Sequence, residues 1–405
     1  MSQVANRLKA IKPSPTLAVS AKAARLKSEG KDVIAMGAGE PDFDTPDFIK
    51  EAAIAAIRKG LTKYTAAGGT PSLRKAIAAK FRKENGLEYT EKQILVSCGG
   101  KQTSFNLCLA LLNAGDEAII PAPFWVSYPD MAMMADAKPV FINAGIDQGF
   151  KITPAQLRAA ITPKSRLLWL NSPSNPTGAV YTADELKALG EVLRAHPQIV
   201  IATDDMYEHI LLDGSKFVNI LNVCPDLYSR TVTMNGVSKA YSMTGWRIGY
   251  CGGPQDLVEA MENVQSHSTS NPASISQYAA EAALTGDQGC IEPMVAAFKE
   301  RARVITDGLN RIPGVKCLMP GGAFYSFPDC RGAIASLHKS GRISAPTDLA
   351  LCDYLLAQPQ GVAAVPGSAF GAEGYLRISF ATSMENIRKA IDRMASAMGE
   401  TRVPA

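Results

Sequence analysis

The sequence has little of what metal sites and disulfide frameworks need. Only four of its 405 residues are histidines, and no HxxxH spacing occurs among them. The eight cysteines are scattered without CxxC spacing, and most stand in apolar surroundings, which is typical of buried free thiols. We therefore expect no metal site and no disulfide framework.

Long apolar runs and blocks of one charge are also missing. The longest apolar run, around residues 107–112, is far shorter than the roughly 20 residues of a transmembrane helix. The first residues contain no continuous apolar core of a secretory signal. The net charge is +4, from 42 basic and 38 acidic residues, without a dense basic block. These absences predict a cytoplasmic protein of enzyme size, with no nucleic-acid or membrane partner.

Short apolar runs alternate with helical patterns through the middle of the chain, in which 46% of all residues are hydrophobic. This alternation indicates βαβ units, and hence an α/β fold with a mainly parallel sheet covered on both faces. The candidate strands are 94–98, 117–121, 138–142, 166–171, 199–204, 231–235 and 248–251. The candidate helices between them are 101–112, 126–135, 154–161 and 182–194.

A helix-rich stretch at 254–310 leads into a C-terminal part with the pattern of a smaller α+β domain. Its candidate strands are 322–327, 362–366 and 376–380. A last helix is expected from Ser383 onwards. We expect a large domain over residues 47–299 and a small domain made of residues 1–46 and 300–405.

Four of the predicted strands end in chemically distinctive residues. In open α/β sheets, ligands bind beyond the carboxyl ends of the strands. We therefore expect these ends to converge on one crevice. They are residues 99–101, 171–178, 204–207 and 235–239.

The segment 236–249 (GVSKAYSMTGWRIG) carries the strongest chemical pattern. A lone lysine after a strand is usually a solvated surface charge, but small residues flank Lys239 and Arg247 follows soon after it. Small neighbours let an amine approach a flat ring, and the planar fork of arginine suits a phosphate. The segment resembles the cofactor-attachment signature of the class I and II aminotransferases. The resemblance implies that Lys239 forms a Schiff base with pyridoxal 5'-phosphate and that Arg247 binds its phosphate.

The resemblance runs from about residue 12 to residue 379. It implies the aspartate aminotransferase-like fold of pyridoxal-phosphate-dependent transferases. In that fold the cofactor belongs to the large domain with the mainly parallel seven-stranded sheet.

Two further strand ends match the family. Residues 171–178 (NSPSNPTG) could be an ordinary turn, but they resemble the NPxNPTG loop, in which Asn175 would bond the cofactor ring oxygen and touch the substrate carboxylate. Adjacent carboxylates after a strand usually cap a helix or face solvent. The D-x-x-Y spacing of the family selects Asp204 as partner of the ring nitrogen and Tyr207 as partner of the ring hydroxyl oxygen. It leaves Asp205 as a helix cap.

A phosphate pocket is implied at another strand end. Gly99 and Gly100, followed by Lys101, could be only a tight turn, but backbone N–H groups at a helix start also bind phosphate. Together with Arg247 they would complete one dianion pocket. In the family, Tyr64 reaches that phosphate from the neighbouring subunit, which implies a homodimer with shared active sites.

Three residues resemble the family's contacts to the substrate. Arg377, which could be a surface strand residue, matches the arginine that clamps the substrate α-carboxylate. Trp125, which could be a core aromatic, matches the residue that stacks on the cofactor ring. Gly39 would let the backbone approach the substrate carboxylate closely.

The resemblance is strongest to the bacterial aspartate aminotransferases of the branch that includes aspartate/prephenate aminotransferases. In this branch lysine and hydroxyl groups bind the distal carboxylate, and Lys12, Thr16 and Lys101 are the matching positions here. The loop 266–270 contains no arginine, as the branch implies, but His267 and Ser268 depart from the usual pattern.

The implied reaction transfers the amino group of L-aspartate to 2-oxoglutarate and gives oxaloacetate and L-glutamate. Transamination of prephenate to arogenate is a second implied activity, associated with Lys12. Aromatic or other amino acids, elimination and decarboxylation stay open as alternatives. A DNA-binding regulator of this fold needs a helix-turn-helix before residue 38, where we expect none. No GxGxxG or P-loop indicates a nucleotide-binding module.

Overall fold

A computed structural model describes residues 4–11 and 13–399. Its strands, in chain order, are β1 (Ile34–Ala35), β2 (Ile94–Ser97), β3 (Glu117–Ala122), β4 (Lys138–Asn143), β5 (Ser165–Asn171), β6 (Val200–Asp204), β7 (Thr231–Gly236), β8 (Gly249–Gly252), β9 (Tyr325–Ser326), β10 (Val362–Ala363), β11 (Val365–Pro366) and β12 (Leu376–Ser379).

The α-helices of the described residues surround these strands. They are α1 (Pro15–Ser28), α2 (Asp47–Arg58), α3 (Pro71–Lys80), α4 (Gly100–Leu111), α5 (Ser127–Met134), α6 (Pro154–Ala160), α7 (Ala183–Arg194), α8 (Ile220–Val223), α9 (Gln255–Ser266), α10 (Ser274–Thr285), α11 (Glu292–Asn310), α12 (Arg331–Lys339), α13 (Asp348–Leu356) and α14 (Met384–Met398). Short 3-10 or π turns lie at Asn6–Lys9, Phe81–Asn85, Glu91–Gln93, Ile146–Gln148, Pro225–Arg230, Thr244–Trp246, Gln288–Ile291 and Gly367–Phe370.

Seven strands form the main sheet, in the order β2-β8-β7-β6-β5-β3-β4. They are the seven strands predicted from the sequence. Strand β8 runs antiparallel to both of its neighbours, and the other neighbouring strands of this sheet are parallel. The α/β fold with a mainly parallel sheet is thereby confirmed.

Both faces of the sheet are buried. Successive side chains of a strand point to opposite faces, so one strand contributes to the cores on both sides. In β5, Leu167 and Trp169 pack into a core formed with α4, α5 and α9. Leu168 and Leu170 pack into the larger core on the opposite face. Apolar residues in unbroken runs, rather than in alternation, are what a doubly covered parallel strand requires.

The smaller β structure lies toward the C-terminus. Strands β11, β12 and β9 form an antiparallel three-stranded sheet, and β1 pairs with β10 in parallel. The predicted strand 362–366 is therefore two short strands with different partners. The predicted strand 322–327 is ordered as a strand only at Tyr325–Ser326, since Ala323 has a positive φ of 58° that an extended strand does not permit.

The predicted division into two domains stays a prediction. Its boundary at residue 299 lies inside α11, which runs without interruption from Glu292 to Asn310. The eight cysteines all lie among the described residues and are free thiols. No helix in the described ranges is long and apolar enough to span a membrane.

Candidate active site

A cleft of about 520 Å³ opens at the carboxyl ends of the parallel strands. Its walls come from the main sheet, from α1 and from the three-stranded sheet. Most of the site residues predicted from the sequence line it. They are Thr16, Gly39, Gly100, Lys101, Trp125, Asn175, Asp204, Tyr207, Lys239, Arg247 and Arg377.

Lys239 lies on the loop that follows β7. Its Nζ donates a hydrogen bond of 2.6 Å to the carbonyl oxygen of Gly39. Burial, together with the nearby positive charges of Arg377 and Arg247, lowers the pKa of Lys239 from 10.5 to about 8. The amine is therefore neutral, and nucleophilic, at a far lower pH than an exposed lysine.

Asp204 ends β6 with its carboxylate turned into the cleft. One carboxylate oxygen accepts a hydrogen bond of 2.5 Å from the hydroxyl of Tyr128, and the other accepts one of 3.3 Å from the backbone N–H of Met206. Burial raises the pKa of Asp204. A buried carboxylate of this kind favours a cationic N–H partner, which is what a protonated ring nitrogen offers.

Asp205 faces the other side of the strand end and does not cap a helix, so the cap prediction was wrong. Its carboxylate accepts a hydrogen bond of 2.7 Å from the amide of Asn219 inside the core. Consecutive side chains alternate in direction, and this places only Asp204 in the cleft.

Tyr207 is buried, and its hydroxyl lies 2.8 Å from the hydroxyl of Tyr325 in the three-stranded sheet. Burial raises the pKa of Tyr207 well above its ordinary value. The phenol is thus protonated near neutral pH and can donate a hydrogen bond to a ring oxygen.

The loop after β5 fixes Asn175. The side chain of Asn171 accepts from the backbone N–H of Asn175 at 2.8 Å and donates to the carbonyl oxygen of Asp204 at 2.9 Å. The peptide bonds before Pro173 and Pro176 are both cis. This loop therefore ties two of the predicted strand ends together.

Arg377 is 2% exposed, and in the described ranges its guanidinium contacts no carboxylate. It donates to the side-chain oxygen of Asn175 at 2.9 Å and to the carbonyl oxygen of Gly37 at 2.7 Å, while its Nε has no partner. The guanidinium also lies over the ring of Tyr325, 4.6 Å from its centroid. A buried cation paired only with neutral acceptors is suited to bind an incoming carboxylate.

Gly99, Gly100 and Arg247 form an anion cradle at the N-terminus of α4. Gly99 has a φ of +87°, and a Cβ at this position would clash with the guanidinium of Arg247. Arg247 donates to the carbonyl oxygen of Thr244 at 3.0 Å. A helix N-terminus, a glycine turn and an arginine in one place fit a phosphate group.

Lys101 and Thr16 both line the cleft, from α4 and α1. The Nζ of Lys101 lies 5.1 Å from the centroid of the Trp125 ring. Burial and the neighbouring Arg247 lower the pKa of Lys101. The hydroxyl of Thr16 is buried without a hydrogen-bond partner, so it is available to a ligand.

Two described residues of the predicted set do not line this cleft. Gly99 lies just before Gly100 at the start of α4. Tyr64 is 93% exposed on the surface of the chain, and its role in a neighbouring subunit stays a prediction. The remaining predicted residue, Lys12, lies outside the described residues.

Sequence reasoning missed several residues that hold the site. Tyr128 and Tyr325 bond the two predicted cofactor contacts Asp204 and Tyr207. The signal for Tyr128 was its position in the first turn of a predicted helix, three residues after Trp125; the centroids of the two rings lie 5.2 Å apart. Tyr325 gave no signal beyond its place on a predicted strand.

A buried polar network next to the site was also missed. The carboxylate of Glu208 accepts hydrogen bonds from Lys80, from Asn85 at 2.5 Å and from Asn235 at 2.8 Å. Asn235 in turn accepts from the backbone N–H of Gly236, at the start of the Lys239 loop. Because Glu208 directly follows Tyr207, the network connects the backbone at Tyr207 to the Lys239 loop.

The chain was compared with known proteins. It matches the family "Aminotransferase class I and II" over residues 31–394. It is 62% identical over 396 residues to the aspartate/prephenate aminotransferase of Nitrosomonas europaea, covering 98% of this chain and 100% of the relative. It is 52% identical to the aspartate/prephenate aminotransferase of Cereibacter sphaeroides, covering 97% of this chain and 98% of the relative.

Solved structures give the same result. The crystal structure of the aspartate aminotransferase from Rhizobium meliloti has a TM-score of 0.92 and 48% identity, with 98% of this chain and 99% of that chain covered. The Thermus thermophilus aspartate aminotransferase with maleate has a TM-score of 0.91 and 42% identity, with 98% and 100% covered.

Proposed function

This chain belongs to the class I and II aminotransferases and is a transaminase, and from that premise we propose that it uses pyridoxal 5'-phosphate to transfer the amino group of L-aspartate to 2-oxoglutarate. The products are oxaloacetate and L-glutamate. One observation carries the proposal: the buried amine of Lys239, with a pKa of about 8, shares its cleft with a buried Arg377 that contacts no carboxylate in the described part of the chain.

The cleft fits the cofactor by its donors and its space. The cradle of Gly99, Gly100 and Arg247 suits the phosphate, and the buried carboxylate of Asp204 suits the ring nitrogen. Trp125 lines the cleft where it can cover one ring face. When bound, the cofactor supplies an electron-withdrawing ring that stabilises negative charge at the substrate Cα.

The remaining contacts to the cofactor are assigned by chemistry. Lys239 would hold it covalently. The protonated phenol of Tyr207 and the amide of Asn175 would donate to its ring oxygen. Lys101, at the first turn of α4, would add positive charge beside the phosphate.

The chain's own residues then divide the work on the substrate. Arg377 and Asn175 bind and orient the α-carboxylate, and the backbone at Gly39 lets it approach closely. In its free form, the amine of Lys239 would remove the Cα proton and later deliver a proton, as general base and acid, because burial favours its neutral, basic form. Orienting the substrate in this way is itself a large part of catalysis.

The residues that bind the distal carboxylate of a dicarboxylic substrate would determine which amino acid is used. Lys101 and Thr16 face the cleft with a cationic donor and an unpartnered hydroxyl, and Lys12 is proposed to join them. The Thermus thermophilus relative was solved with maleate, a dicarboxylate. The names of the relatives also support prephenate as a second acceptor, giving arogenate.

A homodimer completes the proposal, with Tyr64 of the partner subunit at the phosphate. The exposure of Tyr64, at 93%, and of Ile57, at 52%, supports a covering partner surface. The large domain at 47–299 would carry the cofactor, and the small domain, 1–46 with 300–405, would carry Arg377.

The test is a set of initial rates with aspartate, glutamate and the aromatic amino acids as donors against oxaloacetate, 2-oxoglutarate and prephenate. We expect aspartate with 2-oxoglutarate to be used and Lys239→Ala to abolish turnover. Unchanged turnover in Lys239→Ala would overturn the catalytic assignment. A preference for aromatic donors over aspartate would overturn the substrate assignment and leave the transaminase intact.

A further inference from the structure

Two neighbouring loops of the chain are exposed although their bases are buried. The Tyr64 loop, residues 61–69, is exposed from residue 61 to 64 and buried at Gly68 and Gly69. The His267 loop, residues 266–273, is exposed from residue 266 to 270. Since the side chain of Tyr64 is almost fully in solvent, only the backbone of its loop determines where the phenol points.

Gln277 of α10 bonds both loops at once. It is fully buried, and its amide nitrogen donates to the hydroxyl of Thr65 at 3.0 Å and to the carbonyl oxygen of Pro272 at 2.8 Å. Its amide oxygen accepts from the backbone N–H of Thr70 at 2.7 Å. Both amide hydrogens and the oxygen are thus used, which allows one orientation of the amide.

Gln265, at the last turn of α9, also forms hydrogen bonds with both loops. It is fully buried, and its amide nitrogen donates to the carbonyl oxygens of Ala67 at 2.7 Å and Val96 at 2.8 Å. Its amide oxygen accepts from Asn106 at 2.9 Å. Its own carbonyl oxygen accepts from the backbone N–H groups of Ser268 and Ser270, in the His267 loop.

The backbone at the base of the Tyr64 loop is also restricted by its own conformation and packing. Gly69 has a φ of +102°, and a Cβ there would lie 2.6 Å from the side chain of Val96. The backbone N–H of Gly68 donates to Glu262 at 3.0 Å. A buried amide costs free energy unless its hydrogen bonds are made. Here those bonds also satisfy backbone groups of both loops, which an apolar residue would leave without partners.

We propose that Gln277 and Gln265 are positioning residues that hold the Tyr64 loop against the His267 loop, so that Tyr64 is presented to the cofactor phosphate of the partner subunit. This rests on the proposed function, because it requires the homodimer and the cofactor. Neither glutamine lines the cleft of its own chain, and the described residues give them no other ligand to bind. Their effect is therefore exerted in the partner's active site.

Hybrid dimers test this directly, because a defect in the partner's site can be rescued by the other chain. In the first hybrid, one chain carries Gln277→Leu and the other carries Lys239→Ala. The Lys239-containing site then receives Tyr64 from the chain with an intact Gln277. In the second hybrid, one chain carries both substitutions and its partner is unchanged, so the Lys239-containing site receives the altered loop.

The readout is the concentration of pyridoxal 5'-phosphate that half-saturates Lys239, with borohydride used to fix the cofactor to that lysine and mass spectrometry used to measure the labelled fraction. We expect the first hybrid to match the wild type and the second to need about tenfold more cofactor, as for a lost charge-assisted hydrogen bond. Equal values in the two hybrids, or a chain that is monomeric, would overturn the proposal.

Gln288→Leu is the matched control. Gln288 also makes three side-chain hydrogen bonds, to Ala283, Gly286 and Tyr241, but none to either loop. It should give no difference between the two hybrids. If Gln277→Leu chains do not fold, Thr65→Val removes the same bond at the exposed side and should give the same asymmetry. Wild-type dimers that take up no label at Lys239 would instead refute the proposed function, and this inference with it.

Discussion

The guanidinium of Arg377 donates a hydrogen bond of 2.9 Å to the side-chain oxygen of Asn175, although 202 positions separate the two residues. Arg377 belongs to the three-stranded sheet, and Asn175 belongs to the loop after β5 of the main sheet. The proposed receptor for the substrate carboxylate therefore spans two sheets. Its geometry depends on how they pack, and not on either one alone.

Replacing Arg377 with lysine should lower kcat/KM for every amino-acid substrate. Lysine carries the charge, but it lacks the fork that can bond a carboxylate and Asn175 together. We expect kcat/KM for aspartate and for alanine to fall on the order of 100-fold, which corresponds to about 2.7 kcal/mol. Steady-state kinetics with both donors measures this. A loss confined to aspartate would place Arg377 at the distal carboxylate instead.

Replacing Lys101 with alanine should distinguish the binding of the distal carboxylate from the binding of the α-carboxylate. The change removes a cation from the lining of the cleft, to which Thr16 also contributes. We expect kcat/KM for aspartate to fall by about tenfold and that for alanine to stay within about twofold. Equal losses for both donors would mean that Lys101 acts through the cofactor alone.

The amine of Lys239 should titrate near pH 8 in the protein without cofactor. Burial and the charges of Arg377 and Arg247 favour the neutral form. The rate constant for cofactor uptake at Lys239 should rise with pH to a plateau with a midpoint near 8. The variant Arg377→Met should move that midpoint upward, because one repelling charge is removed. A midpoint near the ordinary 10.5 in the wild type would refute the assignment.

The same shift makes folding stability depend on pH. Between about 8 and 10.5 the unfolded chain binds a proton at Lys239 that the folded chain does not, so the contribution of Lys239 to the free energy of unfolding of the cofactor-free protein rises with pH over this window. Buried cysteines, whose pKa values are raised by burial, contribute in the opposite direction in the same window, so the wild type must be compared with Lys239→Met. The free energy of unfolding of the wild type relative to Lys239→Met should rise with pH, as denaturant titrations at several pH values would measure, and a difference that is independent of pH would contradict the prediction.

Gly99→Ala should damage the anion cradle beyond its effect on stability. Gly115 is its matched control, because its φ of +89° is close to the +87° of Gly99 and no atom lies within 4 Å of a Cβ built there. Both changes should lower the free energy of unfolding by about 1–2 kcal/mol. Only Gly99→Ala, which displaces Arg247, should weaken cofactor binding, by about tenfold. Equal dissociation constants in the two variants would exclude the cradle.

The ion pair of Lys80 and Glu208 should be strongly coupled in a double-mutant cycle. Both side chains are almost fully buried, and although burial alone would raise the pKa of Glu208, Lys80 and the neighbouring donors lower it below its usual value. Lys80→Met leaves a buried unpaired carboxylate and should cost about 3–5 kcal/mol. Adding Glu208→Leu should recover part of this. The exposed pair Lys316 and Asp147 is the control, with coupling below about 1 kcal/mol; equal coupling in the two cycles would contradict the prediction.

The sequence predicted the main sheet well, for a physical reason. Strands such as β5, in which residues 167–170 are all buried, appear as unbroken apolar runs. Parallel strands place their carboxyl ends at one edge, so the convergence of Asp204, Asn175 and Lys239 could be expected before any coordinates were known. Their chemical roles came from the family resemblance and stay proposals.

Other features depend on packing that no local pattern encodes. The hydroxyl of Tyr325 meets that of Tyr207 only because the three-stranded sheet closes over the main one. Asp205 looked like a helix cap, but its carboxylate is enclosed by the core beside Asn219. The role of Tyr64 depends on a second chain, which a single sequence does not describe.

The carbonyl oxygens of Gly37 and Gly39 satisfy Arg377 and Lys239 respectively. The backbone carbonyls of residues 37–39 thus occupy donors on the two cations that an anion would otherwise bind. A ligand must displace these carbonyls, and a neutral amide or ester offers only the same kind of acceptor in exchange. A carboxylate offers a charged acceptor, whose hydrogen bonds are about twice as strong. We therefore expect the cleft to bind carboxylic acids more tightly than their uncharged amides and esters.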